Sequence, residues 1–221
     1  VKWWHLKVVN GDATERNLEV FLYVEWTLGV QREESARNVF TEFDAASQSL
    51  YGISYYNNEF SGRRVFVGAS AEIHTYTASR EEFLGRNRDT SAPYALETAA
   101  SGSLSNLVMA QKGYVSLSRK TGAGFDPCGV IGVHINLQPG EERDVLFFIG
   151  EALTAEEHRA NVLKFRSHKK RAGELERVRN EWDGLFSSLQ VHTPSRAMDI
   201  MLNSWLLYQT VACRIWGRSG F

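Results

Sequence analysis

Cysteine is scarce: Cys128 and Cys213 are the two thiols in 221 residues, and they stand far apart. They make neither a disulfide framework nor a zinc pattern, so a reducing compartment is expected. No apolar run approaches the ~18 residues needed to span a bilayer. Charge of one sign is also missing. Lys plus Arg number 25 and Asp plus Glu 26, a formal net charge of −1, with no block of like charge. A nucleic-acid or anionic-membrane partner therefore has no electrostatic basis. The phosphate loop GxxxxGK[ST] and the metalloprotease motif HExxH do not occur. Gly122-Ala-Gly124 lacks a third glycine and a following helix, and Gly68-Ala-Ser-Ala-Glu72 lacks the closing glycine of a nucleophile elbow. Six histidines (His5, His74, His134, His158, His168, His192) show no ligand spacing, and each is expected to be structural or solvated. Internal repeats and low-complexity tracts are absent.

What is present is a globular chain. Hydrophobic residues make up 43% and charged residues 23%, which excludes disorder. The length corresponds to about one and a half domains and allows a core without staples. The first 150 residues read as β. In 18–28, Val20, Leu22, Val24 and Trp26 alternate with Glu19, Phe21, Tyr23 and Glu25; apolar groups on both sides place this strand in the middle of a two-layer sandwich. Further strands are expected at 39–43, 49–55, 64–67, 71–77, 113–117, 129–137 and 143–149. Asn10-Gly11-Asp12 and Gln138-Pro139-Gly140-Glu141 mark turns. Residues 79–102, rich in Gly, Ser, Ala and Asn, read as a long loop of functional size. Asp126 before Pro127 reads as a turn former.

After Gly150 the character changes. Thr154 with Glu157 forms a capping box, opening a helix to about Ser167. A charged hinge follows at 168–171. A second helix over 173–189 carries Leu175, Val178, Trp182, Leu185 and Leu189 on one stripe. Thr193 as cap and Pro194 in the first turn start a third helix, apolar nearly all round from Met198 to Ile215. Such a helix should be buried on every side, yet little of these 221 residues remains to cover it. The chain is thus expected to be a piece of something larger, marginally soluble alone. Trp3, Trp4, Trp26, Trp182 and Trp205 have apolar neighbours and read as core rather than sugar-stacking platforms.

A series of short segments, in order along the whole chain, resembles the cyclic beta-1,2-glucan synthase and cellobiose phosphorylase family. They are Tyr23-Val-Glu-Trp-Thr-Leu-Gly29; Glu82-Phe-Leu-Gly-Arg-Asn87 with Ala92-Pro-Tyr-Ala-Leu96; Gly122-Ala-Gly-Phe-Asp-Pro-Cys128; Leu137-Gln-Pro-Gly-Glu-Glu-Arg143 with Phe147-Phe-Ile-Gly150; and Leu202-Asn-Ser-Trp-Leu-Leu-Tyr-Gln-Thr210 with Ala212-Cys-Arg-Ile-Trp-Gly-Arg-Ser219. The resemblance implies a mainly β fold: an antiparallel β super-sandwich (1–150), a helical linker (151–192), and the first helix of an (α/α)6 catalytic barrel (193–221).

It also implies inverting phosphorolysis of a β-linked glucan, beta-1,2 above all. Inorganic phosphate is the co-substrate, and no cofactor or metal is implied. One carboxylic acid protonates the departing oxygen. In the family that acid lies downstream of the Trp-x-Arg-Ser segment, so the general acid is expected beyond Phe221 and this chain alone is expected to be inactive. Arg218 matches a family arginine that contacts the sugar, a task suited to a forked guanidinium, with Ser219 and Trp216 as neighbours of weaker claim. Trp216 fits core better, and the alternative for Arg218 is a solvated helix-end arginine. Arg86 and Asn87 match a loop that can approach the partner subunit's active site across a homodimer, or simply stabilise a turn. The implied location is the cytoplasm, or the cytoplasmic side of the inner membrane as part of a synthase. A non-catalytic carbohydrate-binding or dimerisation module is the alternative reading.

Overall fold

The computed structural model describes residues 1–56, 61–100 and 114–217. Among the described residues eight antiparallel strands form two sheets: β1 (Lys2–Val9), β2 (Arg16–Glu25), β3 (Val39–Asp44), β4 (Ser49–Ser54), β5 (Arg64–Ala69), β6 (Ile73–Ser79), β7 (Pro127–Leu137) and β8 (Glu142–Ala152). One sheet has the order β1-β8-β5-β4-β3 and the other β2-β7-β6. Alternation along each strand sends one set of side chains between the sheets. Val20, Leu22 and Val24 from β2 meet Ile131, Val133, Ile135 and Leu137 from β7 there, with Leu50, Val67, Val145 and Phe147 of the larger sheet. Trp26, 1% exposed, closes this core.

Seven of the expected strands form, with ends shifted by up to three residues: 18–28 becomes Arg16–Glu25 and 71–77 becomes Ile73–Ser79. β2, however, is an edge strand, with β7 in the centre of its sheet. Its outer face is apolar because other segments cover it: Phe21 and Tyr23 pack with Phe83, Leu84, Ala95, Val115 and Leu117. Residues 114–117, read as a strand, carry no ladder. Their amides find side-chain acceptors instead, Val115 N–H on Glu19 Oε2 (2.7 Å) and Leu117 N–H on Thr75 Oγ1 (2.8 Å). Residue 113 lies outside the described residues. β1 went unread in the sequence because Trp3, Trp4 and His5 interrupt simple alternation. It pairs with β8 along its whole length, Lys2 opposite Ile149 to Val9 opposite Glu142.

Each turn read in the sequence has a visible cause. The Asn10 side chain, buried, donates to the Thr14 and Leu137 carbonyls and accepts from Asp12 N–H. Gly140 holds φ +75°, a conformation open to glycine, while Glu141 N–H bonds the Gln138 carbonyl.

Thr154 caps α4 (Ala155–Arg166), accepting from Glu157 N–H, while the Glu157 carboxylate returns to Leu153 N–H. Val162 and Phe165 then bury against Phe66, Phe148, Tyr51 and half-buried Trp3 on the outer face of the larger sheet. Each such side chain contributes roughly 1.5–3 kcal/mol. The helix is fixed polarly as well. His158 Nε2 lies 2.8 Å from Ser49 Oγ, Ser49 Oγ 2.8 Å from Ser47 Oγ, and Ser47 donates to Asp44. Arg159 Nε donates to the same Asp44 at 2.8 Å.

The compact units are Val1–Ser167 and His168–Phe221. α4, which the sequence places in the linker, therefore lies in the sandwich unit. In the second unit α5 (His168–Phe186) begins at the charged residues read as a hinge. A continuous helical run follows: α6 (Arg196–Ile200), wider π turns at Met201–Trp205, α7 (Leu206–Gln209), and π turns again at Thr210–Trp216. Its cap is Ser195, which accepts from Met198 N–H. Thr193, expected as cap, instead bonds Asp199 Oδ1 through both its amide and its hydroxyl. The run is apolar as read, but its side chains are exposed in this chain, Met198, Ile200, Trp205 and Ile215 each by more than half. Among the tryptophans, Trp26 is core; Trp4, on the edge strand β1, and Trp205, beside an open cavity, are exposed, contrary to expectation.

Candidate functional site

One end of the small sheet gathers four charges. β2 delivers Glu25, the start of α1 (Arg32–Ser35) delivers Arg32, the end of β6 delivers Arg80, and the entry to β7 delivers Asp126. Arg80 Nε donates to Glu25 Oε1 at 3.1 Å and lies 3.9 Å from Asp126. Arg32 bonds Asp126 and stands 3.4 Å from Glu25. Tyr23 donates its hydroxyl to Glu25 at 2.6 Å. The Tyr23 hydroxyl, with Arg80 and Arg32, holds Glu25 below the usual carboxylate range against the opposing pull of burial. Burial and the adjacent Glu25 push the Tyr23 phenol up. Two guanidinium groups thus face two carboxylates. Asp126 is more than a turn former, since its carbonyl also accepts Arg80 N–H at 3.0 Å.

The network holds a loop. α2 (Arg80–Phe83) starts at Arg80, and α3 (Tyr94–Ala100) closes the excursion; residues 79–102 thus hold two short helices rather than one open loop, and 101–102 lie outside the described residues. Phe83 and Leu84 anchor it in the outer apolar cluster. Gly85 turns the chain at φ +90°, where a β-carbon would sit 3.2 Å from Tyr94 Cβ. Beyond the turn Arg80 reaches the Arg88 carbonyl at 3.3 Å, and Arg88 bonds Glu97 and lies over the Tyr94 ring. Arg86 and Asn87 project between these fixed points. Arg86 is 84% exposed at its side chain, with Glu81 3.9 Å away, and Asn87 is exposed. A pinned backbone presenting an outward guanidinium and amide suits contact with another molecule.

In the second unit the Asn203 side chain makes two 2.8 Å bonds to Val191, accepting from its N–H and donating to its carbonyl. Trp182 gathers Phe186, Tyr208 and Trp216 at ring separations of 5.2–5.4 Å. Together with Ser204 and Trp205, three of these (Trp182, Phe186 and Tyr208) line an open aromatic cavity of about 350 Å³. Trp216, expected in the core, is 66% exposed, its ring meeting that of Trp182 in a T-shaped contact at 5.3 Å. Arg218 and Ser219 lie outside the described residues.

Sequence reading missed two features of the sandwich unit. A cavity of about 430 Å³ is lined by Leu28, Val30, Tyr56, Arg63, Val65 and Glu151 among others. On the outer face of the small sheet, Glu19, His74 and His134 offer ligand atoms all within 4.8 Å of one another, a set that could hold a metal. The buried Cys128 is no nucleophile, since burial pushes its thiol well up.

Comparison with known proteins places these elements. Residues 1–168 match the glycosyl hydrolase 94 supersandwich domain, and residues 181–221 the catalytic domain of the glycosyl hydrolase 94 superfamily. The cyclic beta-(1,2)-glucan synthase NdvB of Rhizobium meliloti is 33% identical over 98% of this chain, which spans 7% of that protein. The N,N'-diacetylchitobiose phosphorylase of Vibrio proteolyticus is 24% identical over 97% of the chain, and the solabiose phosphorylase of Paenibacillus borealis 23% over 99%. The chain spans about a quarter of those two. Among the described residues no helix is long and apolar enough to cross a membrane. With residues 1–168 matched to the supersandwich domain and residues 181–221 to the catalytic domain, the chain belongs to the glycosyl hydrolase 94 family.

Proposed function

We propose that this chain is the sandwich, helical linker and opening barrel helix of an inverting phosphorylase-type module acting on β-linked glucan, beta-1,2 in particular. Phosphate attacks the anomeric carbon as a carboxylic acid protonates the leaving oxygen, releasing glucose 1-phosphate. The general acid comes from the remainder of the (α/α)6 catalytic domain, so the 221 residues alone are inactive. Arg218 and Ser219 contact the sugar beside the scissile bond. Arg86 and Asn87 reach the partner subunit's site across a homodimer. The module works in the cytoplasm or on the cytoplasmic side of the inner membrane.

The observation that supports this reading most is the in-order match to both domains of one family, joined to 33% identity with a glucan synthase. The pinned Arg86–Asn87 loop adds a means of presenting two polar side chains to a second subunit. The test is glucose 1-phosphate release from linear beta-1,2-glucan and phosphate by a protein carrying this chain with the complete catalytic domain. Arg218→Ala should lower kcat/KM at least about tenfold, equivalent to ~1.4 kcal/mol of transition-state binding. Absence of product on any β-glucan would favour the carbohydrate-binding or dimerisation reading.

A further inference from the structure

The outer face of the small sheet holds a group of polar atoms that the sandwich does not use. β2 and β7 pair in register so that Glu19 stands opposite His134. β6 carries an irregularity between Ile73 and Thr75, and the residue it displaces is His74. A bulge re-aims a side chain in this way. His74 Nε2 consequently lies 2.9 Å from Glu19 Oε1, and His134 Nδ1 3.7 Å from the same oxygen. The two imidazoles stack with centroids 3.4 Å apart. Despite these distances, Glu19 Oε1, both His74 ring nitrogens and His134 Nδ1 are buried without a hydrogen-bond partner. Leaving several such atoms unpaired is costly, and a protein retains them where something else satisfies them. The second carboxylate oxygen, Oε2, is fixed by Val115 N–H at 2.7 Å, which leaves Oε1 free to face the rings.

We propose that Glu19, His74 and His134 form a binding site for a divalent transition metal of the zinc class. Two imidazoles and one carboxylate are a donor set for such ions and a poor one for magnesium or calcium, which take oxygen. Side-chain exposures of 12–30% put the cluster near the surface, with Oε1 and the facing ring nitrogens themselves covered. A bound ion would tie all three strands of the small sheet together. The proposal is independent of the glucan reading.

The experiment titrates the metal-free full chain with Zn²⁺ and Co²⁺, with Mg²⁺ as the contrasting ion. One equivalent of Zn²⁺ should bind, and the ring resonances of His74 and His134 should be the histidine signals that move. His74→Gln and His134→Gln should each weaken Zn²⁺ binding by at least about tenfold, while His5→Gln, at an exposed cross-strand pair with Asp144, should not. Binding unchanged in both variants, resonance shifts confined to other histidines, or no binding to wild type would each overturn the proposal. The resonance readout uses wild type, so it stands even if a variant folds poorly.

Discussion

His158 has no exposure to solvent, and its ring is clasped between Phe66 and Tyr51 with centroids 4.6 and 5.2 Å away. Its Nδ1 has no partner. A bare lone pair is the cheaper atom to leave there, so the proton sits on Nε2 and is donated to Ser49; Ser49 then donates to Ser47 and Ser47 to Asp44. Burial pushes His158 down to about 4; Asp44 acts upward, and Arg64 and Arg159 downward. The unfolded chain takes up this proton near pH 6.5 and the native chain does not. Stability from this group is therefore complete above pH 6.5 and declines as pH falls toward 4, by on the order of 3 kcal/mol. Asp44, held below its usual range against burial by Arg159 and Ser47, contributes its own loss at still lower pH. Thermal melts of wild type and His158→Gln between pH 7 and 4 should show a steep decline in the first and a shallower one in the second; parallel declines would contradict the assignment. Gly129 is a second residue under constraint. A β-carbon there would meet Trp26 Cζ2 at 2.5 Å and Val24 Cγ2 at 2.9 Å. Gly129→Ala should cost about 1–3 kcal/mol by overpacking, read as a lower denaturant midpoint at unchanged slope. Neither constraint was legible in the sequence, because a glycine under a tryptophan and a histidine under a helix are made by pairing across the fold.

Elements were legible where local chemistry decides them. The Thr154–Glu157 box and the Gln138–Glu141 turn stand where they were read, since their hydrogen bonds close within a few residues. β1 went unread and residues 114–117 were misread because their state depends on partners distant in sequence, β8 for the first and Glu19 and Thr75 for the second. α2 and α3 hid because each is short, four and seven residues, and turn formers such as Gly85, Asn87 and Pro93 separate them; Phe83, Leu84 and Ala95 fix them by burying against the small sheet. Arg80 joins α2 to the sheet, and its removal belongs to this scale. Arg80→Met should leave overall stability within about 1 kcal/mol, since the pairs it breaks are partly exposed. Amide hydrogen exchange across residues 84–92 should quicken, because Arg80 no longer holds Glu25 and the Arg88 carbonyl. Unchanged exchange there would mean the loop is held by its apolar anchors alone.

At the scale of the whole molecule, a sandwich or barrel and the switch to helices were readable from alternation, capping and composition, while the super-sandwich came from the family resemblance. The Glu19–His74–His134 cluster was not, for its members are far apart in sequence and meet through strand register and one bulge. Of the residues the resemblance singled out, Arg86 and Asn87 stand on a pinned, outward loop, while Arg218 and Ser219 lie outside the described residues. The second unit exposes Met198, Ile200, Met201, Trp205, Leu206, Ile215 and Trp216, more apolar surface than a lone soluble unit ordinarily shows. Sedimentation of the 221-residue chain should reveal concentration-dependent self-association; a monodisperse monomer at high concentration would contradict that. The most direct test of the phosphorolysis reading is ³¹P NMR of linear beta-1,2-glucan and phosphate incubated with a protein uniting this chain and the complete catalytic domain. Inversion at a β-linked carbon predicts that α-glucose 1-phosphate accumulates. A β-anomer, or no sugar phosphate at all, would contradict it.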